Sequence, residues 1–326
     1  MRQVSVRRET WPLRGVFRIA RGGTTEIQVV VVEIREGLAL GRGECRPYLR
    51  YGETPESVVT AIKAVIPDLR AGLNRADLLD RMPPGAARNA IDCALWDLAA
   101  KQANSPVWRL VGLPEPEPLT TAYTLSVDTP EKLAVAAQAE SLRPLLKLKL
   151  AGAGDLERVA AVRAYAPKSR LIVDANEAWT SREYQRMVPE LARLGVELIE
   201  QPFPADADAC LADLPRPVPV CADESCYDRA SLPHLAGLYD AVNLKLDKAG
   251  GLTEALRAQR LAESLGFRVM VGCMVGTSLA MAPAVLLGQG ADYVDLDGPL
   301  LLARDRGPGL RYEGSRVFPA DGDVWG

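Results

Sequence analysis

A chain of 326 residues, 48% of them hydrophobic, has the material for one large domain and a smaller companion. Its 39 Lys and Arg against 42 Asp and Glu give a formal charge of -3, which excludes the basic surface of a nucleic-acid binder and points to small or protein-like partners. No apolar run approaches the roughly 18 residues of a membrane span, and the start MRQVSVRRETWPL lacks the apolar stretch of a signal peptide, so no membrane partner and a cytoplasmic location are the default expectations.

The first predicted elements are antiparallel. QVVVVEI turns at Glu36-Gly37 into LALGRGEC, a hairpin by length and turn residue. Thr54-Pro55-Glu56 supplies an N-cap, a first-turn proline and a first-turn acid, and opens a helix to about Leu73. A second helix runs through AARNAIDCALWDLAAKQA, where Ala87, Ala90, Ile91, Ala94, Leu95 and Leu98 recur at three and four to give one apolar face. Three prolines in VGLPEPEPLT then end this α+β regime near residue 115.

Beyond Pro118 the pattern becomes strand, loop, helix, repeated, with Thr129-Pro130-Glu131 and the capping box Thr180-Ser181-Arg182-Glu183 marking helix starts. Strands are expected near TTAYTL, LLKLKL, RLIVD, VELIE, PVPVCAD, AVNLKL, RVMVGC and ADYVDLD. The middle ones are too apolar to face water on either side, which indicates a parallel sheet under helices. Eight such strands are what a (β/α)8-type barrel needs. The expected organisation is α/β: an N-terminal α+β capping domain (residues 1–115), a barrel domain (116–303) and a tail (304–326) that packs back on the first domain.

Cysteine and histidine narrow the chemistry by their scarcity. Cys45, Cys93, Cys210, Cys221, Cys226 and Cys273 lie in apolar contexts without a CxxC pair, as reduced core residues do. His234, in SLPHL, is the one histidine, so a Ser-His-Asp triad or a two-His metal site has nothing to stand on.

The chemistry-bearing residues instead end the apolar runs about one βα unit apart. They are Lys147 and Lys149 in LLKLKL, Asp174 in LIVDANE, Glu200 in ELIEQP, Asp223 in VCADES, Lys245 in AVNLKLDK, and Asp295 with Asp297 in YVDLDGP. In a parallel barrel all carboxyl strand ends open on one face, where residues from distant positions meet. Read singly, each acid could be a helix N-cap after its strand, and the lysines could be one solvated strand face. Three acids on consecutive strands together form an all-oxygen, hard-ligand set suited to Mg²⁺. Mg²⁺ and lysines across a barrel mouth suit proton abstraction next to a carboxylate, where the developing enediolate charge must be met. Strands two and six lie opposite each other, placing Lys149 and Lys245 on opposite faces of a bound carbon, and neighbouring positive charge from Mg²⁺ and Lys147 would lower a lysine pKa toward neutrality.

With these residues in hand, the chain resembles the enolase superfamily, its muconate-lactonizing subgroup, and within that the dipeptide epimerases. The KxK of Lys147 and Lys149, VDANE, EQP, CADES, NLKLDKAGG, the GCMVGTS loop and VDLDGPL carry the resemblance along essentially the whole length. Lysine or histidine bases beside Mg²⁺ are known for that superfamily. The resemblance implies Mg²⁺ held by Asp174, Glu200 and Asp223, Lys149 and Lys245 as acid/base catalysts, and Lys147 stabilising the enolate. It also implies that Asp295 and Asp297 receive the substrate's α-ammonium, that Arg21, Thr24 and Met274 contact substrate, and that Asn176 and Glu224 stand behind the ligands.

The implied reaction inverts the α-carbon of a dipeptide's C-terminal residue, with murein-derived L-Ala-D/L-Glu the leading substrate and another L-Ala-X the alternative. Glutamate-preferring members place an arginine at the position aligned with Thr24, whose hydroxyl cannot pair bidentately with a γ-carboxylate. Arg18, Arg21 or Arg50 would have to compensate, or the second residue is neutral or apolar. A cycloisomerase or an o-succinylbenzoate synthase-like dehydratase is a rival on the same lysines, and a non-catalytic metal-binding barrel is another. Apolar capping-domain surface is compatible with a homo-oligomer, though no one patch stands out.

Overall fold

Two regimes of strand pairing divide the protein, whose computed structural model describes residues 2–326. The first is antiparallel: β1 (Gln3–Ile19), β2 (Gly22–Glu36) and β3 (Ala39–Cys45) lie side by side in that order. Glu36 pairs with Ala39, so the hairpin link is Gly37-Leu38, one residue later than the expected Glu36-Gly37, and Gly37 takes the left-handed φ of 61° that the turn requires. β1 had no counterpart among the predicted elements. It is an edge strand in which only Leu13 is buried, so its arginines and Pro12 hide the alternation.

Four helices follow: α1 (Pro55–Arg70), α2 (Arg75–Arg81), α3 (Ala86–Ala103) and the short α4 (Val107–Leu110). Thr54 caps α1 reciprocally with Ser57, and the helix ends at Arg70, short of the expected Leu73. α3 lies directly on β3, where a Cβ on Gly41 or Gly43 would stand 2.1 Å from the carbonyl oxygen of Ala94 or Ala90. Glycine is therefore required there by backbone-to-backbone contact.

After β4 (Leu119–Thr120) the chain alternates through β5 (Tyr123–Leu125), α5 (Pro130–Ala139), β6 (Leu145–Lys149), α6 (Asp155–Tyr165), β7 (Arg170–Asp174), α7 (Ser181–Arg193) and β8 (Val196–Glu200). It continues through β9 (Val220–Ala222), α8 (Leu232–Leu235), β10 (Ala241–Leu244), α9 (Leu246–Ala249), α10 (Leu252–Ser264), β11 (Arg268–Gly272), α11 (Ser278–Leu287), β12 (Tyr293–Asp295) and α12 (Gly298–Leu301). Strands β5 to β12 are hydrogen-bonded in sequence order as one parallel sheet. The ring is closed by Ala122 N–H donating to the Val294 carbonyl at 2.8 Å and Leu296 N–H donating to Thr121 Oγ1 at 2.7 Å. This is the (β/α)8 barrel with its N-terminal capping domain. The expected single strand TTAYTL divides: Leu119–Thr120 pairs with β14 (Arg316–Val317), itself paired with β13 (Tyr312–Glu313), and only Tyr123–Leu125 joins the barrel.

The barrel floor decides where charge can go. Ala122, Leu145, Ile172, Leu198, Cys221, Ala241, Met270 and Tyr293 form one closed apolar cluster, one contribution from each strand position. Side chains alternate along a strand, so the residues two positions further on share the inward direction one layer higher. Those residues are Thr124, Lys147, Asp174, Glu200, Asp223, Asn243, Gly272 and Asp295, and two positions beyond Lys147, Asn243 and Asp295 come Lys149, Lys245 and Asp297. Gly272 keeps this layer passable, since a Cβ there would stand 2.6 Å from the Asn243 side chain.

The capping domain meets the barrel through α3. Its residues Ala87, Ala90, Ile91, Ala94, Leu95 and Leu98 pack with Val30, Val32 and Ile34, while Cys93, Trp96 and Ala100 pack into the barrel's core. The single apolar face expected from the sequence is thus one of two buried faces. Asp92, fully buried, accepts Thr253 N–H at 2.9 Å and Thr253 Oγ1–H at 2.5 Å at the start of α10. The chain end adds to the same junction, with Trp325 Nε1 donating to the Cys93 carbonyl at 3.0 Å and Gly326 N–H to Asp97 at 2.8 Å.

Burial lifts the Asp92 carboxyl from 3.8 to about 6, against the pull of Thr253 and the nearby arginines. A carboxyl whose pKa is higher folded than unfolded favours the fold fully below its unfolded pKa and loses that contribution as pH rises through about 6. Wild-type stability relative to Asp92→Asn should therefore fall by about 3 kcal/mol between about pH 3 and pH 7. Urea unfolding of both proteins across that range checks it, and a constant difference would refute it. No helix among the described residues is long and apolar enough to cross a membrane.

Candidate active site

Three carboxylates from adjacent strand ends meet above the barrel floor. Asp174, Glu200 and Asp223 are all buried, and each presents an oxygen such that these atoms lie within 4.8 Å of one another. Parallel register sets this up, since Asp174 pairs with Glu200 across β7 and β8. Neighbouring groups fix the ligand side chains: Asn243 Nδ2 donates to Glu200 Oε1 at 2.8 Å, and Gln201 Oε1 accepts the Asp223 N–H at 2.8 Å. Glu200 Oε2 and Asn176 Oδ1 are buried with no aligned donor, although Glu200 Oε2 stands 2.6 Å from Lys147 Nζ. A buried, all-oxygen donor set with unmet lone pairs fits Mg²⁺.

Ammonium groups surround the acids. Lys147 Nζ is 2.7 Å from Asp295, 2.6 Å from Glu200 and 3.4 Å from Asp174. Lys149 Nζ donates to Asp174 Oδ2 at 2.5 Å, and Lys245 Nζ to Asp223 Oδ2 at 2.7 Å. Lys248 donates to Asp223 Oδ1 at 2.5 Å and to the Asp223 carbonyl at 2.6 Å. Burial opposes ionisation of Asp174 and Asp223, but their lysines prevail, leaving Asp174 at about 2 and Asp223 well below the carboxylate range. Glu200 rises to about 7 through burial and the Asp174 charge, with Lys147 pulling the other way. Burial likewise favours neutral Lys147 and Lys245, yet the acids hold both above the usual lysine range: Asp295, Glu200 and Asp174 around Lys147, Asp223 and Glu200 around Lys245.

A cavity of about 500 Å³ opens above this layer. Lys149, Asn176, Asp223, Glu224 and Lys245 form its barrel side, and Cys273, Met274 and Val275 close it from the loop after β11. Capping-domain residues make the rest, with Phe17, Ile19, Arg21, Gly22, Gly23 and Thr24 from the β1–β2 turn and Arg46, Tyr48, Leu49, Arg50 and Tyr51 from the segment after β3.

The sequence-derived set is thus partly gathered in the cavity wall and partly beneath it. Asp295 is held against Lys147 with its Oδ1 buried and unmatched, and Asp297 accepts Thr124 N–H at 2.6 Å; neither lines the cavity. Burial and the neighbouring Asp295 charge raise Asp297 to about 7. Glu224 is in the wall, paired with Arg21 at 2.7 Å. Burial and the Asp223 and Asp174 charges raise its carboxyl, with Arg21 opposing. Thr24 spends its hydroxyl within its own turn, donating to the Glu26 carbonyl at 2.6 Å. Arg21 and Arg50 both close on Glu177, at 3.0 and 2.6 Å, and Arg18 lies out toward Asp128 at 3.9 Å.

All six cysteines are free; Cys273, expected in the core, is a partly exposed wall residue, and Cys210 is also partly exposed. His234 is exposed on α8 and not in the cavity wall. Sequence reasoning passed over Arg46, Tyr48, Tyr51, Asn243 and Lys248. The last two had a local signal, because Asn243 lies on the inward period two before Lys245, and Lys248 follows it by one helical turn.

Comparison with known proteins covers both regions. The enolase C-terminal domain-like family matches residues 131–300, and the mandelate racemase / muconate lactonizing enzyme N-terminal domain matches residues 1–112. An L-Ala-D/L-Glu epimerase of Escherichia coli (strain K12) is 46% identical over 314 residues, 96% of this chain and 98% of the relative. An N-acetyl-D-glutamate racemase of a Pseudoalteromonas species is 44% identical over 300 residues, 91% of this chain and 95% of that protein. Among solved structures, an enolase family member from Agrobacterium tumefaciens with homology to dipeptide epimerases, carrying sodium and L-Ala-L-Glu, is similar with a TM-score of 0.99 at 50% identity, over 100% of both chains.

Proposed function

Because the chain belongs to the enolase superfamily, in its mandelate racemase and muconate lactonizing enzyme branch, we propose that it inverts the α-carbon of the C-terminal residue of a dipeptide, L-Ala-D/L-Glu foremost. It is an isomerase of the racemase and epimerase type, and its cofactor is Mg²⁺. We take residues 1–115 as the capping domain, 116–303 as the barrel and 304–326 as the tail.

The observation that carries this reading is the placement of two lysines in one cavity wall. Lys149 approaches the acid triad from β6 through Asp174, and Lys245 approaches it from the end of β10 through Asp223. These are the second and sixth barrel strands, on opposite sides of the ring. A substrate carbon between them has one lysine side chain on each face. The lysine that is neutral removes the α-proton and becomes an ammonium, the other, already an ammonium, gives its proton to the opposite face and becomes neutral, and the reverse reaction exchanges the roles. Asp174, Glu200 and Asp223 would hold Mg²⁺, which supplies Lewis-acid stabilisation of the charge that develops on the substrate carboxylate. Lys147 adds a fixed positive charge beneath the same region, ready for the enediolate. Asp295 and Asp297 lie in the layer beneath the cavity lining and would accept the substrate's α-ammonium from there, Asp295 through its unmatched Oδ1. An N-acylated glutamate has no such ammonium and would leave both idle.

The test is incubation with Mg²⁺ in D₂O against a panel of L-Ala-L-X dipeptides and N-acetylglutamate, followed by mass and chirality. One deuteron gained with inversion and no water lost is the expected result for a dipeptide. Exchange confined to N-acetylglutamate would reassign the substrate class. Ring closure or loss of water would replace epimerisation with a cycloisomerase or dehydratase, and no reaction at all would leave a non-catalytic metal-binding barrel.

A further inference from the structure

The cavity contains three arginines, and their commitments differ. Arg21 is bound through Nη2 to Glu224 at 2.7 Å and through Nη1 to Glu177 at 3.0 Å and the Asn176 carbonyl at 3.1 Å. Arg50 holds Glu177 in a two-point pair, Nε at 2.7 Å and Nη2 at 2.6 Å. Arg46 has no such partner. Its guanidinium makes one long hydrogen bond, Nη1 to the Val275 carbonyl at 3.4 Å, and no carboxylate among the described residues lies within 4.0 Å of it.

The residue is nonetheless firmly placed. Its backbone N–H donates at 3.1 Å to Asp247 Oδ1, two residues past Lys245, so the chain carrying the guanidinium is tied to the segment carrying that lysine. The guanidinium carbon stands 5.9 Å from the Tyr48 ring centroid. Burial depresses its pKa against the opposing pull of Tyr48, Asp247 and Cys273, as for a cation withdrawn from water and not paired directly with a carboxylate. A guanidinium held this way is costly unless an anion meets it, and its planar fork matches a carboxylate bidentately.

We infer that Arg46 receives the side-chain carboxylate of the substrate's C-terminal glutamyl residue, and so sets the preference for an acidic residue at the position being inverted. The inference rests on the epimerase reading above. Arg21 and Arg50 would each have to leave an acid to do the same, and Thr24, in the same wall, is a neutral hydroxyl already engaged with Glu26.

Rates of deuterium incorporation with L-Ala-L-Glu and L-Ala-L-Gln, measured on Mg²⁺-loaded wild type, R46Q and R46K, test it. In R46Q, kcat/KM for L-Ala-L-Glu should fall by about 100-fold, mainly through KM, and by clearly less for L-Ala-L-Gln. R46K, which keeps the charge but not the fork, should retain more of the glutamate preference than R46Q. Equal losses on the two dipeptides, the reverse order of the two variants, or a wild type indifferent to Glu against Gln would overturn the assignment while leaving the epimerase reading in place. A wild type that exchanges neither these nor any other dipeptide would instead fail at the epimerase reading itself.

Discussion

With Lys149 replaced by methionine, interconversion of the two substrate epimers is expected to fall by about 10³- to 10⁴-fold, while deuterium still washes from D₂O into one of them. With Lys245 replaced, the same loss is expected, and the label enters the other epimer. The asymmetry follows from the geometry of two bases on two faces. The surviving lysine can still remove the proton pointing at it and return a deuteron to the same face, so it exchanges without inverting. Neither change should unfold the protein: Asp174 keeps Lys147 at 3.4 Å when Lys149 is gone, and Asp223 keeps Lys248 at 2.5 Å when Lys245 is gone. L-Ala-L-Glu and L-Ala-D-Glu would be incubated separately with each variant, then resolved by chirality and mass. If both variants labelled the same epimer, or either still inverted at a substantial fraction of the wild-type rate, the two-lysine assignment would be wrong.

The residues in that experiment were legible because a barrel imposes a simple pattern. Its strands are buried on both faces until they reach the mouth, so a charged residue ending an apolar run has few places to be. LIVDANE and ELIEQP show this, and Asp174 and Glu200 do lie side by side above the floor. What stayed hidden depends on docking between distant segments. β1 is an edge strand with one covered face, and its charges read as loop. On α3 the polar residues Arg88, Asn89, Asp92 and Asp97 look like a solvent face. In the fold they are buried, and they bond to Ala249, Asp247, Thr253 and the chain end. Arg46 carries no local signal at all, since the acceptors that place it, Asp247 and Val275, are about two hundred residues away. The groups proposed as catalytic belong to the repeating barrel, whereas those proposed to face the substrate side chain belong to capping loops whose position the repeat does not determine.

Lys147 is the group on which the buried layer depends, and Lys147→Met should lower stability by about 3–5 kcal/mol in chelator at neutral pH. The side chain is fully buried, and its Nζ faces three carboxylates. Methionine fills most of the stem's volume but leaves those charges without their common counterion. The cost will not be shared evenly. Asp174 retains Lys149 and Glu200 retains the Asn243 amide, but Asp295 loses the one donor that reaches it, with its Oδ1 already unmatched. Adding Asp295→Asn to the Lys147→Met protein should therefore restore about 1–2 kcal/mol, whereas Asp295→Asn alone should destabilise the wild type by removing an ion-pair partner from a buried lysine. Urea midpoints for the four proteins, with unchanged slopes, give the coupling directly. Additive changes would mean that Lys147 and Asp295 are neighbours without a mutual dependence. Strong coupling would mean that the acid proposed to receive the substrate's ammonium is also the acid that keeps Lys147 charged.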